Sequence, residues 1–227
     1  MAIVAEGPTD AVIIEAALSA ILPPFILTLL QPEETRPALG AGWGGVLRWC
    51  LDFSQRGARS LEADPTLPGF DLFILHIDAD VAGASYEALG NEVASLAQEH
   101  GWPSLPTVCS CPPACACASV VGRCVCAWAG LESLGARTVL CVPSRAVEAW
   151  LVAAVFDESE PILEGLECRD DLSDRIAGLP LKRRIRKSRR DYAERASLVR
   201  ERWSLVRGRC TQAERFSLEV AAAVATR

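Results

Sequence analysis

The sequence predicts an α/β fold in which a mainly parallel β-sheet is flanked by helices. Short apolar runs alternate with helical patterns along the chain, an order typical of parallel sheets with right-handed crossovers. The stretch from Leu72 to Ile77 is almost continuously apolar, as in a strand that is covered on both faces. A chain of 227 residues is long enough for one medium-sized domain with additions.

The first predicted strand, Ala2 to Ala5, is followed by a helix from Ala11 to Leu22. Between them stands the sequence EGPTD. Glu6 therefore lies at the carboxyl end of the first strand, and Asp10 lies in the first turn of the helix. An acidic residue in a first turn also suits the helix dipole, which is a purely structural explanation for Asp10. Glu6 has no equally good structural explanation.

A pair of aspartates, Asp78 and Asp80, ends the apolar strand at residues 72–77. On a strand, residues two apart point to the same side. Two like charges this close are unfavourable unless a cation lies between them, and Mg²⁺ binds through one or two carboxylates together with substrate phosphates. Open α/β folds bind their ligands at the carboxyl ends of the strands. The pair thus predicts a metal site; the alternative is a strand that ends in a solvated acidic turn.

Together the two motifs resemble the Toprim domain of topoisomerases, primases, small RNA-maturation nucleases and the overcoming-lysogenization-defect nucleases. The resemblance covers roughly the first two-thirds of the chain, and two motifs in the right order are more specific than either alone. It implies a Toprim-like fold, a Mg²⁺ or Mn²⁺ site, and general acid or base work for the first glutamate. The matching residues are Glu6, Gly7, Thr9, Asp10, Asp78 and Asp80.

A later strand, Arg137 to Val142, is followed by a predicted helix that reaches about Phe156, with Ser144 as its N-cap. Glu148 lies in apolar company one turn into this helix, where an acid needs a partner or a metal. The alternative is an ordinary first-turn glutamate. The overcoming-lysogenization-defect nucleases are similar here, since they carry an additional serine and an acidic residue after D-x-D. We therefore expect Glu148 to be a further metal ligand.

Other segments of the first two-thirds of the chain are assigned less specific structures. Phe25 to Leu30 is a plausible second strand, and the glycines from Gly40 to Gly45 are interpreted as a flexible loop near the acidic site rather than a nucleotide site. A helix is predicted from Val46 to Phe53 and another from Ser85 to His100. Both histidines, His76 and His100, are interpreted as structural.

Six of the ten cysteines fall between Cys109 and Cys126. The absence of a signal peptide indicates a reducing, cytoplasmic compartment, where structural disulfides are rare. A structural Zn²⁺ held by four of these cysteines is one interpretation. The other is a loop or hairpin insertion in which Cys acts as a small apolar residue. In either case we expect an appendage on the core fold.

Charge is distributed very unevenly along the chain. Residues 157–181 are acidic and are interpreted as a solvated linker. From residue 182 to the end the net charge is +9, and before it the net charge is −15, which together give the overall −6. A basic segment set against an acidic metal site suits a phosphodiester substrate. The alternative is an Arg-rich amphipathic helix that is only solvated or binds a partner. The residues predicted to bind a nucleic-acid backbone are Lys182, Arg183, Arg184, Arg186, Arg189 and Arg190.

The only two lysines in a chain of 23 basic residues, Lys182 and Lys187, both lie in this segment. A retained lysine suggests a compact ammonium beside a developing charge. The same nuclease family is similar here too, with a catalytic lysine downstream of its acids, so Lys187 is the first candidate. The tail from Arg195 to Thr226 is predicted to form two helices split near Gly208.

The sequence therefore predicts a Toprim-like catalytic domain at residues 1–156 with a Cys-rich insertion at 109–126, an acidic linker at 157–181, and a basic helical extension at 182–227. The favoured function is a Mg²⁺- or Mn²⁺-dependent endonuclease acting on DNA. By analogy it serves in antiviral defence with a separate ATPase protein, because the chain has no P-loop. The alternatives are an RNA-maturation nuclease and a non-catalytic Toprim-like binding subunit. No stretch is apolar and long enough to cross a membrane.

Overall fold

The structure, a computed structural model, describes residues 1–33, 39–107 and 116–225. Four parallel strands form one sheet in the order β2-β1-β3-β4. In the central pairs, Leu75 lies opposite Val4 on one side and Leu140 on the other. The prediction of an α/β fold with a parallel sheet is confirmed. The strands are β1 (Ala2–Val4), β2 (Thr28–Gln31), β3 (Phe73–His76) and β4 (Thr138–Cys141).

Helices flank this sheet on both faces. Within the described ranges, none of them is long and apolar enough to cross a membrane. Short 3₁₀ turns lie at Leu61–Ala63, Ala79–Val81, Tyr86–Leu89, Pro161–Leu163 and Leu166–Cys168. The α-helices are α1 (Pro8–Ile21), α2 (Gly42–Ser54), α3 (Asn91–Glu99), α4 (Ala116–Trp128), α5 (Glu148–Val155), α6 (Leu172–Gly178), α7 (Arg189–Glu201), α8 (Trp203–Arg209) and α9 (Thr211–Ala225).

Alternate residues of the strands enter two hydrophobic cores, one on each face of the sheet. Ile3 and Ile74 pack into a first core with α1, α5 and α7 to α9. Val4 and Leu75 pack into a second core with α2 and α4. Full burial of such a side chain contributes about 1.5–3 kcal/mol. Because both faces are covered, all four residues of β3 are buried, which explains its apolar run.

Several boundaries differ from those predicted. The first two helices begin earlier than expected, at Pro8 and at Gly42, and the second strand is shifted to Thr28–Gln31. The helix predicted over residues 85–100 is confirmed for Asn91–Glu99 but wrong before it, because Gly90, with φ of 109°, separates a 3₁₀ turn from α3. Such a φ is strained for residues other than glycine, so a regular helix cannot continue through this position.

The described cysteines of the Cys-rich segment lie in a core helix rather than an appendage. Cys117 and Cys124 are buried in the second core, and their thiols lie 3.6 and 3.8 Å from the carbonyl oxygens of Thr107 and Pro103. The expectation of an appendage is therefore wrong for residues 116–126, where cysteine acts as a small apolar residue. Residues 109–115 lie outside the described residues, so a Zn²⁺ site that includes them stays a prediction.

The acidic segment and the tail also belong to the main body of the protein. Ile162, Leu166, Leu172 and Ile176 are buried in the first core, so residues 157–181 are more than a solvated linker. The tail forms three helices, and Gly208 lies inside α8 instead of at a break.

Aromatic contacts bind this tail to α5. Trp150 lies 5.3 Å from the Trp203 ring and 5.5 Å from the Phe216 ring, measured between centroids. Aromatic pairs at these separations add about 0.5–1.5 kcal/mol beyond the burial of their area. The described residues of the tail, 182–225, are thus packed on the first core rather than extended from it.

Candidate active site

Acidic side chains from three parts of the chain meet at the carboxyl edge of the sheet. Glu6 and Asp10 follow β1, Asp78 and Asp80 follow β3, and Glu148 begins α5 after β4. The carboxyl ends of parallel strands share one edge of the sheet, which explains why residues distant in sequence become neighbours. We refer to these five residues as the acidic cluster.

Asp78 is the best-fixed member of the cluster. Its side chain is buried, and Oδ1 accepts a hydrogen bond from the backbone N–H of Val147 at 3.0 Å. His76 Nε2 lies 3.0 Å from the same oxygen. The backbone N–H of Asp78 in turn donates to Glu6 Oε1 at 2.8 Å. Contacts from β1, β3 and the loop before α5 therefore hold Asp78 in one orientation.

Glu148 receives two donors from the basic tail. Its Oε1 atom lies 2.9 Å from Lys187 Nζ, and Tyr192 donates its hydroxyl to the same oxygen at 3.0 Å. The Glu148 side chain is 2% exposed, whereas that of Lys187 is 64% exposed. Lys187 thus reaches from the surface to a buried carboxylate.

One oxygen of each buried carboxylate is held by the protein, while the other is left without a hydrogen bond among the described residues. Oε1 of Glu6, Oδ1 of Asp78 and Oε1 of Glu148 are the held atoms. Thr9 donates to Asp10 Oδ1 at 3.3 Å. Glu148 Oε2 is buried and has no hydrogen-bond partner. A buried carboxylate oxygen without a donor is costly, so this arrangement favours a cationic group that is supplied from outside the chain.

Asp80 differs from the other members because its side chain is exposed. The strand ends at His76, and Asp80 lies in the 3₁₀ turn that follows. The argument that strand geometry points Asp78 and Asp80 to the same side is therefore wrong. Its backbone N–H donates to the carbonyl of Arg145 at 3.1 Å, which attaches the turn to the loop before α5.

Burial and mutual repulsion raise the pKa of most acids in the cluster. Burial, with the charge of Asp78 next, raises the pKa of Glu6 to about 8. Burial raises the pKa of Asp78 to about 7, although His76 opposes this shift. Burial also raises the pKa of Asp10 and of Asp80. The cluster therefore holds more negative charge than its surroundings compensate, which is the electrostatic condition for binding a cation.

The charged pairs of the site shift the pKa values of His76 and Glu148 in opposite directions. Burial lowers the pKa of His76, but the charge and hydrogen bond of Asp78 outweigh it and raise this pKa to about 9. Burial raises the pKa of Glu148, but Lys187 outweighs it and lowers this pKa below its usual value. Lys187 and Glu148 therefore form a charged pair at neutral pH.

Among the described residues, no group of three or more His, Cys, Asp or Glu side chains is arranged so that it could hold a metal ion as it stands. The donor set nevertheless suits a hard divalent cation, since it consists of carboxylate oxygens. Binding would require the open carboxylate oxygens to turn toward a common point.

The glycine-rich stretch and the loop before α5 complete the surroundings of the cluster. The backbone N–H of Gly42 donates to the carbonyl oxygen of Glu6 at 2.8 Å, so α2 begins next to the acidic cluster. Ser144 does not cap α5, because that helix begins only at Glu148. The Ser144 side chain is instead buried, and its hydroxyl has no hydrogen-bond partner among the described residues.

The six residues predicted to bind a nucleic-acid backbone are only partly available. Arg183 pairs with Glu160 at 2.7 Å, and Arg190 pairs with Glu194 at 3.0 Å. Arg184 is half-buried and donates to a backbone carbonyl. The expectation of an Arg-rich helix is wrong for residues 182–188, because α7 begins only at residue 189, after its N-cap. Of the six, three are exposed and show no side-chain ion pair within the described part of the chain: Lys182, Arg186 and Arg189.

Sequence reasoning missed two side chains of the site. His76 was interpreted as structural, yet it contacts Asp78 directly. The available signal was its position as a polar residue in an otherwise apolar run, two residues before Asp78. Tyr192 has no role in the sequence argument, and its contact with Glu148 depends on the packing of α7 against α1 and α5.

Comparisons of the chain with protein-family models, curated proteins and solved structures found no significant match. The geometry of the site therefore carries the functional argument.

Proposed function

We propose that this protein is a divalent-metal-dependent nuclease of the Toprim type, which hydrolyses phosphodiester bonds in nucleic acid, with DNA as the favoured substrate. One observation carries the proposal: at the carboxyl edge of a parallel sheet, Glu6, Asp10, Asp78 and Glu148 each have one oxygen held by the protein and the other left open. Such an edge is where open α/β folds bind their ligands.

Mg²⁺ or Mn²⁺ would be held by open oxygens of Glu6, Asp10, Asp78 and Glu148, with the exposed Asp80 at the outer side. A bound cation of this kind polarises a phosphoryl oxygen and lowers the pKa of a bound water. The residues themselves prepare the site for it. The hydrogen bonds to Oδ1 of Asp78 and Oε1 of Glu6 orient both side chains, so that their other oxygens are the ones offered to a cation.

Lys187 and Glu6 are proposed to act on the substrate. The Lys187 ammonium lies at the boundary between the buried Glu148 and solvent, where it can approach a phosphate oxygen and stabilise developing negative charge. Glu6 is proposed as the general acid or base, the role that the Toprim resemblance implies for the first glutamate, and the backbone N–H of Asp78 holds its Oε1 atom in place at 2.8 Å. Lys182, Arg186 and Arg189 would hold the nucleic-acid backbone without reading its sequence.

The test is cleavage of plasmid DNA and of structured RNA with Mg²⁺ and with Mn²⁺. Asp78→Asn keeps the shape of the side chain and removes its charge, so it is expected to abolish cutting. The matched control is Asp157→Asn, because Asp157 is an exposed aspartate just beyond the opposite end of α5 from Glu148. Metal-dependent cutting that survives in Asp78→Asn would refute the proposed site. A preference for RNA would favour the maturation nuclease over the DNase.

A non-catalytic binding subunit is the second candidate, and one observation favours it. No group of acids in the described residues could hold a metal ion as it stands. Wild-type protein that binds nucleic acid but cuts neither substrate with either metal would support this candidate. The assay is then repeated with a separate ATPase protein, the partner that we propose, before a catalytic role is abandoned.

A further inference from the structure

We propose that His76 is a positioning residue, which orients Asp78 so that a single carboxylate oxygen, Oδ2, is presented to the cation. This inference deepens the proposed function and rests on it. It gives a role to a buried side chain of the site that is neither a carboxylate nor part of the basic tail.

His76 is completely buried in the strand that leads to the cluster. It is the last residue of β3, with an exposed fraction of 0%, and it is surrounded by a core of apolar side chains. Its Nε2 atom lies 3.0 Å from Oδ1 of Asp78. Asp78 follows two residues after His76, just beyond the end of β3. The short separation and the contact at 3.0 Å aim the histidine at the acidic cluster.

Two donors then converge on one oxygen of Asp78. His76 Nε2–H and the backbone N–H of Val147 both lie 3.0 Å from Oδ1. A carboxylate held by two donors from different elements cannot rotate without losing one of them. Oδ2 is consequently the oxygen that is left to face the cluster. Groups that orient a metal ligand in this manner typically change metal affinity by about 10- to 100-fold when they are removed.

Stability alone does not explain a histidine at this position. Its other nitrogen, Nδ1, is buried and has no hydrogen-bond partner among the described residues. Burying a polar atom without a partner is unfavourable, and an aliphatic residue would avoid that cost. Within the described ranges the polar contact seen for the His76 side chain is the one with Asp78, which points to a role in orienting that carboxylate.

The experiment measures Mn²⁺ affinity by calorimetry in four variants of the full chain. His76→Leu removes the donor and keeps an apolar core, and we expect it to weaken Mn²⁺ binding by about 10- to 100-fold. His76→Gln places an amide N–H near the position of Nε2 and is expected to bind more like the wild type. His76→Asn is polar but too short to reach Asp78, so it is expected to resemble His76→Leu. His100→Gln is the matched control, because His100 is exposed on another face.

The outcomes separate this inference from the proposed function. Wild-type affinity in a folded His76→Leu protein, judged by circular dichroism, would overturn the positioning role and leave the metal site standing. If His76→Leu does not fold, equal affinities of His76→Gln and His76→Asn would overturn it instead. A wild-type protein that binds no Mn²⁺ would overturn the proposed metal site, and this inference with it. Recovery of affinity in His76→Gln alone supports the role, since a purely structural histidine would not require the N–H.

Discussion

Replacing Lys187 by methionine removes the ammonium that faces Glu148 and keeps most of the side-chain volume. Glu148 is 2% exposed, and after the substitution its carboxylate keeps only the hydroxyl of Tyr192 as a side-chain donor within the described residues. A buried charge that loses its partner destabilises the folded state. We therefore expect Lys187→Met to lower the free energy of unfolding.

The size of this loss in unfolding free energy follows from the exposed fractions of the Glu148 and Lys187 side chains. Breaking a fully buried ion pair costs about 3–5 kcal/mol. The Lys187 side chain is 64% exposed, so solvent screens the pair and the loss is reduced. We expect a loss of about 1–2 kcal/mol near pH 8. Without the ammonium, burial is opposed by fewer groups, the Tyr192 hydroxyl among them, and the pKa of Glu148 rises relative to the wild type. The carboxyl group then takes up a proton as the pH falls through this raised pKa, and the difference from the wild type shrinks.

Urea unfolding at several pH values measures the effect, with chelator present throughout. Lys182→Met is the matched control, because it makes the same substitution at an exposed lysine for which the described residues show no ion pair. That variant should stay within about 0.5 kcal/mol of the wild type. Equal stability of Lys187→Met and wild type near pH 8 would refute the pairing. A loss that does not depend on pH would refute the electrostatic explanation.

Four further predictions concern the cluster and the core. Asp78→Asn should raise the melting temperature of the metal-free protein near pH 8, because it removes a buried negative charge and keeps an oxygen for both donors; a decrease in differential scanning fluorimetry would contradict this. Mn²⁺ affinity should increase from about pH 6 to about pH 8. Glu6 and Asp78, with pKa values of about 8 and about 7, must lose protons to bind a cation. An affinity that calorimetry finds independent of pH would count against both residues as ligands. Over the same pH range the metal-free protein should become less stable. An acid whose pKa is raised on folding stabilises the protein only while it is protonated, and this contribution is lost as pH rises through the raised pKa. Urea titrations at several pH values check whether the free energy of unfolding falls as expected. Trp150→Ala should lower the free energy of unfolding in urea by about 3–5 kcal/mol, because the ring is buried against Trp203 of α8 and Phe216 of α9. A loss below about 1 kcal/mol would mean that the tail is not packed as described.

The sheet and the positions of the acids could be predicted because strand ends are local features of the sequence. The apolar run before Asp78 and the acids around the first helix indicate a strand followed by a turn, and parallel strands share an edge. The first residues of the helices were harder to predict from the sequence. Ser144 is a good N-cap residue in isolation, yet α5 begins at Glu148, because Val147 donates its N–H to Asp78 rather than to a capping side chain.

Long-range packing was the part that the sequence did not reveal. Acidic residues at 157–181 suggested a solvated linker, and the buried positions Ile162 and Leu172 are too widely spaced among charges to stand out. Cysteines at 109–126 suggested an appendage, but Cys117 and Cys124 fall on the buried side of a helix. Cysteine is used as a small apolar residue in cores and also as a metal ligand, so its spacing alone could not decide between these uses.

The contact between Lys187 and Glu148 makes the tail part of the site. Lys187 precedes α7, and α7 packs against both α1, which carries Asp10, and α5, which begins with Glu148. The same packing brings Tyr192 to the Glu148 carboxylate. The order in the chain gives no sign of this, because 38 residues separate Glu148 from the segment that holds it. A basic tail could have been a separate nucleic-acid-binding arm, but its helices pack into the first core. The charge balance of the site and the folding of the tail therefore depend on the same contacts.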